Sequence, residues 1–251
     1  MHRVATTVAI LAFQWLTLGS DTPRPTPSIV VPSLMSSLPA LTLWSWQRAE
    51  DLRALNPKTT AIAYLDQTVR VSASVEAVPR RQVFAYPAGS TLVPVVRIEV
   101  QPGANLGAQA QEEVVDLIVM SASSPGSAAV QIDFDATRSQ RDFYRGILSS
   151  VRRRVPQNLP LSMTALVSWC SYDDWISGLP VDEAVPMFFR MGPDRGRAGT
   201  AELRIVEPLC GSSAGVSTRE TWPEDLHGKR VYIFPDRGWK QDFSLLNRKL
   251  R

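Results

Sequence analysis

Two aspartates one residue apart, Asp133 and Asp135, are the side chains of this sequence best placed to do chemistry. They end an apolar run, and residues two apart in a strand point to the same side, whereas Phe134 points to the other. Two carboxylates on one side repel each other, which raises the pKa of one and supplies a proton donor near neutral pH. The pair therefore predicts acid–base chemistry. Two alternatives are oxygen ligation of a divalent cation and a structural role, in which Asp135 or Thr137 caps the following helix.

The elements that must position this pair alternate between strand and helix along the chain. Strands that are apolar throughout are typical of a parallel sheet covered by helices. Eight such units in about 210 residues predict a small, irregular (β/α)8 TIM-like barrel, with an open doubly wound sheet as the alternative. Residues 68–87 alternate like a strand, so a hairpin is expected in place of the second helix. The eight strand-like runs are residues 40–46, 60–65, 91–100, 128–135, 161–169, 182–190, 214–218 and 230–234.

The first 39 residues differ in composition from the rest. Residues 1–20 have a basic start and an apolar run shorter than the roughly 20 residues that span a bilayer, which predicts a signal peptide or an N-terminal anchor. Residues 21–39 are rich in proline and predict a linker, and residues 40–251 are expected to form a single barrel domain. We therefore expect an exported protein, periplasmic or secreted, without a membrane span in the mature chain. If the signal is not cleaved, the protein stays anchored to the inner membrane.

Cysteine content and charge restrict the class of protein further. Cys170 and Cys210 are the two cysteines, and in an exported protein an even pair predicts a disulfide, with two reduced thiols as the alternative. A net charge of +3 is small, and we interpret the arginine-rich helix after Thr137 as a solvated face, not a nucleic-acid-binding surface. With His227 as the one histidine outside the signal region, histidine-based zinc chemistry has little support. No metal or nucleotide cofactor is predicted, and a monomer is expected.

The ends of the other strands share one mouth with the aspartates if the barrel closes. They combine arginines, carboxylates and tryptophans, which suits a polyhydroxylated ligand, because sugar C–H faces stack on indole while hydroxyls bind charged groups. The alternatives are packing of the tryptophans in the core and an ion pair between Arg97 and Glu99 in the inner layer of the barrel. The residues predicted to bind substrate are Trp44, Trp46, Arg97, Glu99, Trp169 and Arg190.

Three segments resemble a bacterial family known as domain of unknown function DUF3142. These segments are residues 131–136, 166–170 and 179–192, and the last is long enough to be fairly specific. The resemblance runs from the first predicted strand to the eighth. It implies a common fold and brings no established activity.

The segment around Asp133 is also similar to the Asp-x-Asp-x-Glu signature of chitinase-like glycoside hydrolases. In that family the final glutamate donates the proton, and the preceding aspartate orients the acetamido group of the substrate. Asp133 and Asp135 match the two aspartates, but Thr137 stands at the position of the glutamate. The chitinase mechanism therefore cannot operate unchanged. Either another acid (Asp135, Glu99 or Glu220) takes the task, or the barrel binds carbohydrate without cutting it.

These patterns lead to three hypotheses. The first is a glycoside hydrolase-like barrel that acts on glycans, with Asp135 as the candidate acid and Asp133 as its electrostatic partner. The second is a non-catalytic barrel that binds a glycan or the cell envelope. The third is a metal-dependent hydrolase that uses the two aspartates, and it is weaker because no histidine supplements them.

Overall fold

Eight parallel strands close into a barrel in the computed structural model, which describes residues 34–191 and 204–250. The first strand of the ring pairs with the last and also with the second, which closes the ring and confirms the predicted barrel. In ring order the strands are β1 (Leu41–Ser45), β3 (Thr60–Val71), β6 (Thr91–Val100), β7 (Val130–Asp133), β8 (Leu161–Leu166), β9 (Glu183–Met187), β10 (Ser213–Ser217) and β11 (Arg230–Phe234).

A hairpin replaces the second helix of the barrel, as the alternation of residues 68–87 predicts. β3 turns back into β4 (Val75–Pro79), which pairs with it antiparallel. Farther along the same excursion, β5 (Phe84–Ala85) pairs with the short β2 (Glu50–Asp51). The four helices among the described residues are α1 (Ala108–Ala122), α2 (Arg141–Arg154), α3 (Val167–Ser171) and α4 (Trp239–Lys249).

Alternation along β7 divides its side chains between the helical layer and the barrel interior. Val130 and Ile132 pack in the core cluster that also contains the apolar residues of α1 and α2. Between them Gln131 points into the barrel, where its side chain accepts a hydrogen bond from the indole of Trp44 at 2.8 Å. Asp133 follows two residues later and therefore also points inward, at the carboxyl end of the strand.

The arginines of α2 contact neighbouring parts of the same chain. Arg154 lies 2.5 Å from Asp116 of α1, and Arg152 lies 3.0 Å from Asp182. Arg145 donates to the carbonyl of Trp175 at 2.5 Å. These contacts explain a dense basic helix through packing within the fold.

The amino-terminal end of the barrel is closed by residues just before β1. Met35 is buried there, and Arg230 donates to the carbonyls of Met35, Leu38 and Pro39. Buried Glu183 lies 3.4 Å from Arg230 and supplies the opposite charge. Residues 1–33 lie outside the described part of the chain, so the signal segment and the first part of the linker stay predictions. Met35 and Leu38, which fall in the predicted linker, are buried in a core cluster of the barrel.

A disulfide joins Cys170 and Cys210, as predicted, with 5.9 Å between the two Cα atoms. It connects α3, which follows β8, to the turn that precedes β10. In the described ranges 34–191 and 204–250, no helix is both long and apolar enough to pass through a membrane.

Candidate functional site

A cleft of about 700 Å³ opens at the carboxyl ends of the barrel strands. The ends of β1, β6, β7, β8, β9 and β11, with the loops that follow them, supply its walls. Catalytic residues of (β/α)8 barrels come from this end, because loops of different strands converge there. The cleft has a charged wall and an aromatic wall, which meet where the Arg97 guanidinium lies 5.9 Å from the centroid of the Trp46 ring. Three further charged residues, Arg48, Arg190 and Asp236, also line the cleft.

The charged wall is built around Arg97 and Asp133, which lie on the neighbouring strands β6 and β7. Arg97 Nη1 lies 2.5 Å from Asp133 Oδ2, and Thr164 Oγ1 donates to Asp133 Oδ1 at 2.7 Å. The Asp133 side chain is 3% exposed, so both oxygens are engaged below the surface of the cleft. Charge-assisted hydrogen bonds of this kind fix a carboxylate in place. Asp133 is therefore a positioned charge beneath the wall.

Asp135 is the more accessible member of the pair. Its side chain is 50% exposed, and Arg97 Nη2 approaches its Oδ2 at 3.8 Å. Partial burial in the wall raises the pKa of Asp135, the charge of Asp133 raises it further, and Arg97 lowers it in part. Repulsion between the two aspartates, expected from the sequence, thus acts in the expected direction, but burial is the larger cause. Asp135 holds a proton to higher pH than an ordinary aspartate and faces the cleft.

Thr137, at the position of the chitinase glutamate, serves the local fold. It caps the 3-10 turn Arg138–Gln140 that leads into α2. The Gln140 side chain accepts a hydrogen bond from the Thr137 backbone N–H at 2.8 Å. Thr137 does not belong to the cleft lining. Thr137 therefore has the structural role that was the alternative to chemistry, because it caps the helical segment.

The aromatic wall consists of Trp46, Phe189 and Phe234. Phe234 forms its centre, with ring centroids 4.7 Å from Phe189 and 6.4 Å from Trp46. Trp44 is fully buried and stacks beneath this wall, 4.5 Å from Trp46 and 4.8 Å from Phe234. The two tryptophans share a side of β1, as alternation requires. Trp46 reaches the cleft because it lies beyond the strand end, whereas Trp44 lies within the strand and fills the interior.

Trp169 and Glu99, both predicted to bind substrate, lie outside the cleft lining. β8 ends at Leu166 and α3 begins at the next residue, so the Trp169 indole turns into the core and packs 4.9 Å from Trp175. Glu99 accepts a hydrogen bond from Arg97 Nε at 3.2 Å. Arg97 thus makes the ion pair that was the alternative to a binding role, and it also lines the cleft.

Arg190, predicted at the end of the sixth strand of the barrel, follows that strand and is one of the residues that line the cleft. Its backbone adopts a left-handed conformation, with φ of 52°, and its N–H donates to Glu220 at 3.1 Å. Arg190 Nη2 lies 3.5 Å from Asp236, a carboxylate to which sequence reasoning assigned no role. The signal for Asp236 was its place directly after the eighth strand.

A cation site between the aspartates has no geometric support. Within the part of the chain that the structure describes, no group of three or more His, Cys, Asp or Glu residues is arranged to hold a metal ion. The Arg97 guanidinium already supplies positive charge to Asp133 and Asp135.

Comparison with known proteins confirms the family resemblance over part of the chain. Residues 88–187, from the approach to β6 to the end of β9, match the model of the family described as Domain of unknown function (DUF3142). The crystal structure of the spore cortex-lytic enzyme SleL of Bacillus cereus is similar with a TM-score of 0.44 and 15% identity. The matched region covers 71% of this chain and 50% of the SleL chain. No curated protein matches this sequence.

Proposed function

We propose that the cleft binds a glycan and that the barrel hydrolyses it, with Asp135 as the proton donor and Asp133 as its electrostatic partner. The observation that carries this proposal is that aromatic and charged side chains line the same cleft. Sugar rings present C–H faces to aromatic rings and hydroxyls to charged groups, so both walls are used at once. The residues that would stack on the ligand are Trp46, Phe189 and Phe234.

Asp135 fits the task of protonating the leaving oxygen. A general acid is most effective when its pKa lies close to the working pH, and the pKa of Asp135 is displaced toward that range by burial and by Asp133. Its half-exposed carboxyl faces the cleft, whereas Asp133 is held beneath it. Asp133 adds a fixed negative charge beside the reacting sugar, which favours the oxocarbenium-like transition state of glycoside hydrolysis.

A non-catalytic barrel that binds a glycan or the cell envelope is the second candidate. The observation that favours it is Thr137, which caps a turn at the place where chitinase-like enzymes carry their proton donor. In that case the aromatic wall and Arg97 bind the ligand, and Asp135 only accepts hydrogen bonds.

We infer that the protein works outside the cytoplasm, in the periplasm or as a secreted protein. The disulfide between Cys170 and Cys210 supports this location, because such bonds form and persist in oxidising compartments.

The test combines calorimetry with reducing-end release, using chitin oligosaccharides and purified peptidoglycan as probes. We expect Asp135→Asn to bind as tightly as wild type and to lose release by about 10²–10⁴-fold. Wild-type release should fall as pH rises through the raised pKa of Asp135, because a general acid must be protonated. Trp46→Ala should weaken binding by roughly 2–12-fold, about 0.5–1.5 kcal/mol.

The matched controls are Asp116→Asn and Tyr86→Ala, which change exposed residues outside the cleft lining. Both should behave as wild type. Release that survives Asp135→Asn contradicts the assignment of the proton donor. Binding by the wild type without any release supports the second candidate.

A further inference from the structure

Acid–base hydrolysis of a glycosidic bond takes two carboxyl groups, and Asp133 is poorly placed to be the second. Its Oδ2 is engaged by Arg97 and its Oδ1 by Thr164, and the side chain is 3% exposed. Of the described residues that line the cleft, Asp236 is the remaining carboxylate besides Asp133 and Asp135. We propose that Asp236 is the general base that activates the attacking water, an inference that rests on the proposed hydrolysis.

Barrel topology places Asp236 opposite Asp135. In the ring, β8, β9 and β10 separate β7 from β11 on one side, and β6, β3 and β1 separate them on the other. Asp135 follows β7 and Asp236 follows β11, so the two lining residues follow strands on opposite sides of the ring. Hydrolysis with inversion needs this arrangement, with an acid on one side of the sugar and a base with its water on the other.

The loop that carries Asp236 is held in place from below. The carboxylate of buried Asp242 accepts hydrogen bonds from the backbone N–H groups of Asp236 and Arg237 at 2.8 and 3.1 Å. It also accepts one from the hydroxyl of Thr218 at 2.7 Å. Burial alone raises the pKa of Asp242, but these hydrogen bonds and Arg219 outweigh it and lower the pKa. Asp242 is therefore a carboxylate anchor, and we regard it as a positioning residue.

The Asp236 side chain itself remains available to the cleft. Its side chain is 36% exposed, and its two oxygens face Arg190 Nη2 at 3.5 Å and Arg219 Nε at 3.6 Å. These separations exceed those of direct charge-assisted hydrogen bonds, so a water molecule can compete for the same oxygens.

The reaction balances with these two groups and one water. Asp135 transfers its proton to the glycosidic oxygen as the bond from that oxygen to the anomeric carbon breaks. The water forms a new bond to the anomeric carbon and gives one proton to Asp236. The products are two shorter glycans, the new reducing end having inverted configuration, and proton exchange with solvent restores both carboxyl groups.

The experiment measures steady-state release, pH dependence and product configuration for wild type, Asp236→Asn and Asp236→Ala, with Asp116→Asn as the control. We expect Asp236→Asn to lower kcat by about 10²–10⁴-fold with KM changed less than about threefold, and to remove the acidic limb of the pH profile. Azide should restore turnover of Asp236→Ala and give a glycosyl azide of inverted configuration. Proton NMR of the wild-type reaction should show the inverted anomer first.

The outcomes separate this inference from the proposed function. If Asp135→Asn is inactive but Asp236→Asn keeps its kcat, or if the product retains configuration, Asp236 is not the base and the proposed hydrolysis stands. If Asp236→Asn loses activity only through a lower melting temperature, and azide restores nothing, its role is structural and the inference is overturned. If the wild type releases no reducing ends from either probe, both proposals fail.

Discussion

Removing the disulfide between Cys170 and Cys210 should lower the free energy of unfolding by about 4 kcal/mol. The two cysteines are 40 residues apart. In the chain-entropy relation a loop of this length restricts the unfolded chain by roughly 13 cal/mol/K, which at 298 K corresponds to about 4 kcal/mol. With a urea dependence of about 2–3 kcal/mol/M, the unfolding midpoint should fall by roughly 1–2 M.

The assay is urea unfolding of the oxidised protein, of the protein reduced with dithiothreitol, and of the double variant Cys170→Ala/Cys210→Ala. Both cysteines are fully buried, so the double variant should lose somewhat more stability than the reduced protein, because it also leaves small cavities. Its midpoint should not respond to reductant, which makes it the control for effects of dithiothreitol elsewhere.

The bond should also matter for the cleft, because α3 carries both Cys170 and the lining residues Val167 and Ser168. The carbonyl of Cys170 further accepts the backbone N–H groups of Val206 and Glu207 at 2.9 and 3.1 Å. We therefore expect reduction to weaken glycan binding as well as stability. A difference below about 1 kcal/mol between the free energies of unfolding of the oxidised and reduced protein would refute the chain-entropy reasoning for this loop.

Two further predictions concern the charged and aromatic walls. Asp133→Asn should lower the pKa of Asp135, because it removes a negative charge that raises this pKa and frees Arg97 to pair with Asp135. The pKa is measured by NMR titration of the ¹³C-labelled carboxyl group. An unchanged or higher pKa would contradict the electrostatic argument. Gly215→Ala should push the Phe234 ring toward the cleft, because the added Cβ would lie 3.2 Å from its Cε2 atom. That change should cost about 1–3 kcal/mol of stability by urea unfolding and weaken glycan binding by calorimetry, and tight binding with wild-type stability would show that the wall adapts.

Physical patterning of the strands explains how much of the fold could be predicted. A strand buried on both faces is mostly apolar, and the eight strands of the barrel consist mostly of apolar or small residues. The exceptions include Gln131 and Asp133, which point into the barrel. The same two-residue period places Asp133 and Asp135 on one side and sends Phe134 into the helical layer. Strand alternation in residues 68–87 was likewise visible, and the β3–β4 hairpin forms there.

Depth and strand ends were not predictable in the same way. Alternation gives Trp44 and Trp46 the same side, but which of them is covered depends on where β1 stops and how the strands tilt in the ring. The residue types typical of a strand continue past the end of β8 into Val167, Ser168 and Trp169. Nothing in the sequence therefore marks the start of α3 at Val167. Trp169 was therefore expected on a strand end, and the helix turns it into the core.

The placement of Asp236 depended on closure of the ring, which no local pattern encodes. From the sequence, Asp133 and Asp236 are about a hundred residues apart, and only strand order places their loops across one mouth. Eight-stranded closure is decided by tertiary pairing of β1 with β11, two short strands at opposite ends of the described chain. The sequence therefore predicts the type of site, but only the strand order shows that Asp236 lines it.

Arg97 explains why the charged wall can work with carboxylates alone. Its three guanidinium nitrogens address three different carboxylates: Nη1 faces Asp133 at 2.5 Å, Nη2 faces Asp135 at 3.8 Å and Nε faces Glu99 at 3.2 Å. Arg70 also lies 3.8 Å from Glu99, so two guanidinium groups face three carboxyl groups, and their formal charges balance while Asp135 is protonated. When Asp135 gives its proton to the leaving oxygen, the wall gains one negative charge as positive charge develops on the sugar, which stabilises the transition state. The charge of Asp133 raises the pKa of Asp135 and so favours the protonated form from which this step starts. The two aspartates therefore support both parts of the proposed chemistry, protonation of the leaving oxygen by Asp135 and stabilisation of the transition state.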